Sequence, residues 1–202
     1  MLIRLEEEKD YYEVENLTRE AFWNLYRPGC FEHLVVHKLR NDKSFVKELD
    51  YVIEEDGKIV ANIVYAKSNL ILENGNKKEV LIFGPVSVLP DYQKKGYGEK
   101  IISFTIEKAK ELGYNVILIT GNPEYYKKYG FESASKYGIY YEGMENEEAP
   151  FFMIKVLDDR KINGLKGIYS DSSCYNVDEK ELDEFDKLFP NKVKEKRKGQ
   201  LE

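Results

Sequence analysis

A chain of 202 residues, 42% apolar and carrying 16 tyrosines and 10 phenylalanines, has the material for one cored domain, or one domain with a small appendage. Its 37 acidic residues against 31 basic ones leave a net charge of −6, which argues against nucleic-acid binding and suits a cationic substrate. No apolar run approaches the ~20 residues that span a bilayer, and the first residues lack a signal-peptide core, so a cytoplasmic protein without a membrane partner is expected.

In chain order, Ile3-Arg4-Leu5 reads as a short strand. Residues 10–26 read as a helix, with Val14, Leu17, Ala21, Phe22 and Leu25 on one face, ended by Pro28-Gly29. A second helix spans 31–39. Cys30, His33 and His37 share its spacing, but three ligands without a fourth do not make a metal site, and none is expected. The two cysteines, Cys30 and Cys174, are expected to be free thiols.

A meander follows, with strands at 50–54, 58–72 and 79–89, joined by the turn pairs Asp56-Gly57 and Asn74-Gly75. Residues 99–112 form a patterned helix that turns Ile101, Ile102, Thr105, Ile106, Ala109 and Leu112 inward, and Gly113 stops it. The apolar run 115–120 has the composition of a strand buried on both faces. Strand, helix and strand in succession predict a parallel pair within an otherwise antiparallel sheet. A short helix at 125–129, strands at 137–142 and 151–157, and the apolar fragment 167–169 complete the pattern. The fold class is therefore α/β (α+β): a mixed, mostly antiparallel central sheet of about seven strands flanked by helices. Residues 1–177 make the domain. Residues 178–202 add a charged helix (179–189) and a basic tail expected to be disordered, and Leu201-Glu202 reads as a cloning remnant.

Chemistry concentrates at Gln93-Lys94-Lys95-Gly96-Tyr97-Gly98, between the third meander strand and the patterned helix. A strand, a glycine-bearing turn and a helix point unpaired backbone N–H groups and the positive helix end at one spot, where an anion can sit. Gly96 and Gly98 are expected to take positive φ, and Lys94, Lys95 and Lys100 add positive charge. The glycines match neither a Walker loop nor a dinucleotide fingerprint. An ordinary left-handed turn into a helix fits the six residues equally well.

The spelling Gln-x-x-Gly-x-Gly, preceded by Val86-Ser87-Val88-Leu89-Pro90, resembles motif A of the GNAT superfamily of acyl-CoA-dependent N-acyltransferases. A second motif, Gly121-Asn122-Pro123-Glu124-Tyr125-Tyr126-Lys127-Lys128-Tyr129-Gly130-Phe131, is similar to the Tyr-x-x-x-Gly-Phe segment of that family as a bacterial branch of small predicted N-acetyltransferases spells it. The order of elements agrees, and the resemblance reaches to about residue 177. It implies a GNAT-like fold and acetyl-CoA as acyl donor. Its diphosphate would be held at Gln93, Lys94, Lys95, Gly96, Tyr97, Gly98 and Glu99, and its amide arm on the backbone of Val86, Ser87 and Val88. Gly84-Pro85 supports the latter, because proline interrupts a ladder and frees strand groups for an extended ligand. Asn122 is a candidate cofactor contact, able to hold a cofactor amide or Tyr126 or simply to start the helix, and the resemblance implies that Tyr126 protonates or hydrogen-bonds the leaving sulfur. Tyr125 and Tyr129 are read as packing residues.

The expected reaction is direct attack by a primary amine, a small molecule or a lysine-like side chain, on the thioester. The protein would act as a monomer or homodimer. The stretch from Val80 to Leu89 contains no acid where many relatives carry a glutamate, which leaves Glu54, Glu55, His33, His37 or a water chain as base. It also leaves open the alternative of a non-catalytic acyl-CoA-binding regulatory module. Cys30 and Cys174 have no base beside them in sequence, so an acyl-cysteine step is not expected.

Overall fold

The computed structural model describes residues 1–162 and 164–200; Leu201-Glu202, read above as a cloning remnant, lie outside them. The chain divides into two compact units, one of residues 1–64, 85–101 and 173 onward, the other of residues 65–84 and 102–172.

In the first unit β1 (Leu2–Leu5) pairs antiparallel with β2 (Tyr51–Glu55), and β2 pairs antiparallel with β3 (Lys58–Leu72). Asp56 and Gly57 both take positive φ, 51° and 77°, the tight hairpin that this residue pair favours. Helices α1 (Tyr11–Phe22) and α2 (Glu32–Leu39) pack on each other, burying Val14 and Leu17 from α1 and Leu34, Val35, Val36 and Leu39 from α2. The first helix is shorter than its periodicity predicts. Asn24 adopts φ 58°, and its side-chain and backbone groups bond Gly29, so the chain turns before Leu25, which is left exposed.

The second unit carries the parallel pair foreseen from the sequence. Strand β4 (Lys77–Val88) registers with β5 (Val116–Thr120) at Leu81–Ile117 and Ile82–Leu118. The α3 helix (Tyr97–Glu111) connects them, with Ile102, Thr105, Ile106 and Ala109 buried. Gly113, at φ 85°, closes it with bonds from Gly113 N to Lys110 O and from Tyr114 N to Ala109 O. Leu112 falls past this end and is exposed. The short α4 (Pro123–Tyr126) follows β5 and runs into a 3₁₀ turn; the expected single helix at 125–129 is these two pieces. Strand β6 (Glu132–Ser133) was not anticipated, being only two residues long; β7 is Ile139–Tyr141, β8 Phe152–Val156 and β9 Gly167–Tyr169. Strand order in this unit is β3-β4-β5-β8-β6, with β9 antiparallel to β3 and parallel to β7. Gly167 is obligatory there, since a Cβ on it would lie 2.0 Å from Ile71 O.

The C-terminal segment departs from expectation. Helix α5 (Glu179–Asp186) places Leu182 and Phe185 in a cluster with Leu34 and Phe189. The basic tail is docked rather than disordered. Trp23 Nε1 and Asn24 Nδ2 donate to Val193 O, Glu195 N donates to Asn24 Oδ1, and Lys192 pairs with Glu20. Charge runs read as solvated when their partners, here on α1 and the turn after it, are distant in sequence.

Candidate active site

The first unit holds the glycine loop and the strand end before it. Strand β4 reaches Val88 through Gly84, at φ 142°, and Pro85, which has no N–H to give. Along 86–88 the side chains alternate: Val86 and Val88 are half-buried, whereas Ser87 is buried. Ser87 Oγ donates to Thr18 Oγ1 (3.2 Å), which donates to Asn62 Oδ1 (3.2 Å). The Ser87 side chain is therefore committed inward, and what this residue can offer a ligand is its backbone.

Beyond Val88 a 3₁₀ turn (Pro90–Tyr92) leads to the loop, and Gln93 Nε2 donates to Val88 O (3.1 Å), tying the loop entrance to the strand end. The expected pair of left-handed glycines is corrected here. Gly96 has φ 88°, but its partner is Lys94 at φ 59°, while Gly98 lies inside the first turn of α3. A non-glycine residue in that region costs about 1–2 kcal/mol, so the curl is a strained backbone held in place by its surroundings. A Cβ on Gly96 would meet nothing within 4 Å, so its requirement is conformational. The first intrahelical bond runs from Lys100 N to Gly96 O. The N–H groups of Tyr97 and Gly98 therefore precede the helical ladder and end where the helix dipole is positive.

Aromatic rings organise the charge around this turn. Tyr92 and Tyr97 meet edge to face at 5.6 Å, and the ammonium groups of Lys95 and Lys58 lie 5.5 and 5.8 Å from the Tyr92 ring. Lys100 lies 5.6 Å from the Tyr97 ring. Burial and the neighbouring Glu55 carboxylate raise the Tyr97 phenol. Sequence reasoning passed over Tyr92 and Lys58. A tyrosine just ahead of a lysine-glycine run was the available signal.

The candidate bases of this unit are engaged elsewhere. Glu54 accepts from Arg4 (3.0 Å), and Glu55 lies 3.5 Å from the N-terminal amine. His37 Nδ1 is 2.9 Å from Glu15 Oε1. His33 is fully buried with Nε2 3.2 Å from Asp186 Oδ1, though off hydrogen-bond alignment, and burial pushes it down to about 4. It is neutral at pH 7. Cys30 Sγ lies 3.5 Å from His33 Nδ1, but burial raises that thiol, so it is no nucleophile.

The second unit holds the other motif. Asn122 caps α4, its Oδ1 accepting from Glu124 N (3.0 Å); the side chain's first task is thus structural. Tyr126 is half-buried, its ring 5.9 Å from Phe83, 5.8 Å from Phe131 and 5.0 Å from Tyr125. Gly121 makes this seat possible: a Cβ there would lie 2.7 Å from Tyr126 Cε2. Gly130, at φ 78°, ends the following turn and sends Phe131 into the core against Phe83. Tyr129 is buried, as its packing role requires, while Tyr125 stays exposed. A cavity of about 350 Å³, lined by Lys67, Lys78, Glu79, Tyr114 and Asn115 among others, sits at the opposite ends of β4 and β5 from Gly84 and Thr120 and takes no part in these arrangements.

Residues 47–133 match the family described as the acetyltransferase (GNAT) domain. That match makes this part of the chain similar to the acetyltransferases of the GNAT superfamily. Among GNAT relatives, the uncharacterised N-acetyltransferase YhbS of Escherichia coli (strain K12) is 23% identical over 176 residues, 87% of this chain and 99% of that one. YjhQ of the same organism, also an uncharacterised N-acetyltransferase, is 29% identical over 100 residues, 48% of this chain and 54% of its own. The fold is similar to that of E. coli YhbS in complex with CoA, with a TM-score of 0.74 at 22% identity, covering 87% of this chain and 92% of that one. A GNAT family acetyltransferase from Brucella melitensis in complex with acetyl-CoA gives a TM-score of 0.66 at 25% identity, covering 87% and 97%.

Proposed function

We propose that this chain transfers an acetyl group from acetyl-CoA to a primary amine. The observation that carries the reading is the strained turn at Lys94–Gly96 opening α3 inside the stretch that matches the GNAT domain. Its N–H groups and adjoining lysines suit a diphosphate. The residues fit coenzyme A in a further respect: Val86–Val88 follow a proline-interrupted stretch whose backbone can bond an extended amide arm. Acetyl-CoA supplies the thioester. Gln93 fixes the loop entrance, and Lys94, Lys95, Gly96, Tyr97, Gly98 and Glu99 bind the diphosphate. Asn122, with its Oδ1 used as a cap, has its Nδ2 to offer a carbonyl.

In the reaction the neutral amine attacks the acetyl carbonyl, a strand N–H at 86–88 stabilises the developing oxyanion, the C–S bond breaks, the thiolate takes a proton from Tyr126, and the proton shed by the new amide nitrogen restores the phenol. Support for Tyr126 is its place in the motif and a ring seat built by Gly121, Phe83 and Phe131. The attacking ammonium loses its proton to solvent, since the candidate carboxylates and imidazoles are engaged elsewhere.

Release of free CoA thiol from acetyl-CoA, followed with a thiol-reactive dye against a polyamine, a lysine amide and an amino alcohol, tests the reading. Amine-dependent release is expected, and Tyr126→Phe should lower kcat by roughly 10²-fold. Stabilisation of the fold by CoA without thiol release for any amine would instead favour an acyl-CoA-binding regulatory module, a reading favoured by the acid-free stretch from Val80 to Leu89. Failure of CoA to shift the melting temperature would exclude both.

A further inference from the structure

We propose that Thr18, Ser87 and Asn62 form a buried polar brace that sets the backbone of residues 86–88 for the acyl donor, making Thr18 and Ser87 positioning residues. The inference rests on the reading of that strand as the seat of the amide arm. The three side chains come from α1, β4 and β3, and their residues are 0%, 1% and 0% exposed. Thr18 has a single hydroxyl hydrogen and gives it to Asn62 Oδ1, so Ser87 must donate to Thr18 and the chain is polarised in one direction.

Burial alone does not account for this arrangement. An alanine or valine at 87 would pack against α1 without needing a partner. Moreover, Asn62 Nδ2 is buried without a hydrogen-bond partner among the described residues, which weakens the fold rather than strengthening it. What the hydroxyl chain adds is direction. Apolar contacts tolerate sliding, whereas hydrogen bonds of 3.2 Å fix a strand in rotation and register. Residues 86–88 need such a tie because Pro85 cannot donate to a ladder and Gly84 is in a conformation other residues avoid. The abutment on the other side is firm. Arg19, next to Thr18, is buried and bonded through Nε and Nη2 to Asp186 at 2.7 and 3.3 Å, which pins α1.

The test compares affinities by calorimetry for acetyl-CoA and for ADP carrying a 3′-phosphate, which has the diphosphate but no amide arm. Thr18→Val and Ser87→Ala should each weaken acetyl-CoA by about tenfold and leave the 3′-phosphorylated ADP within about twofold, while Thr18→Ser, which keeps the hydroxyl, should bind like the wild type. If Thr18→Val melts below the assay temperature, Ser87→Ala carries the comparison, since it leaves the Thr18–Asn62 bond intact. Acetyl-CoA affinities within twofold of wild type in both variants would overturn the brace. So would equal losses for both ligands, which mark general loosening. Wild-type protein that binds the 3′-phosphorylated ADP but gains nothing from the arm would overturn the underlying reading of the strand instead.

Discussion

Asp186→Ala removes the buried one of the contacts that hold the C-terminal segment to α1. Arg19, with a side chain only 1% exposed, stacks on Trp23 at 4.1 Å and is bonded to the Asp186 carboxylate, itself 18% exposed. Removing the carboxylate leaves a guanidinium buried with no counter-charge. Breaking such a pair costs about 3–5 kcal/mol, and the partial exposure of Asp186 selects the lower end, about 3 kcal/mol. For a chain of this length each kcal/mol moves the melting temperature by about 2–4 °C, so a fall of about 6–12 °C is expected. The assay has a local reporter, because Trp23 is the single tryptophan and its indole N–H donates to Val193 O in the docked tail. Its emission should change along with the melting temperature. The double variant Arg19→Met, Asp186→Leu should recover most of the loss, since an apolar pair needs no counter-charge. A melting temperature within about 2 °C of wild type, with unchanged emission, would refute the claim that this pair is buried and couples the tail to α1.

Two further outcomes follow from single sites. Burial and a hydrogen bond with Glu6 push Asp50 up to about 9, so the folded protein keeps a proton that the unfolded chain has released above about pH 4. Its contribution to stability therefore falls as pH rises through that window, by at most about 1.4 kcal/mol per unit. Asp50→Asn should flatten the denaturant-midpoint profile between pH 6 and 9, and parallel profiles would refute the shift. Gly121→Ala places a Cβ 2.7 Å from Tyr126 Cε2 and must push that ring out of its seat. Turnover should drop while the affinity for CoA holds, and full turnover would show that the ring position is immaterial.

Much of the fold was legible because local chemistry and tertiary structure agree. Asp56-Gly57 names its own hairpin, Gly113 names a helix end, and the apolar run at 116–120 is the buried parallel strand. The glycine loop was legible as a turn into a helix but not in its conformation, since Lys94 rather than Gly98 takes the left-handed turn; strain held by surroundings leaves no mark on composition. The hydroxyl chain from Ser87 to Asn62 joins three distant segments, and in sequence each member is only a polar residue interrupting an apolar pattern. Gly121 stands in the second motif without a role that sequence assigns it, and its purpose is visible only once the Tyr126 ring lies against it. The tail was misread for the same reason: Glu20, Trp23 and Asn24, which hold it, lie about 170 residues away.

The central claim is that the turn at Lys94–Gly96 receives the diphosphate of a coenzyme A ester. A crystal structure of the protein grown with CoA tests it most directly. The account predicts diphosphate oxygens within hydrogen-bond distance of the N–H groups of Gly96, Tyr97 and Gly98, and the amide arm along 86–88. A diphosphate bound anywhere else, with this turn occupied by nothing but solvent, would contradict it.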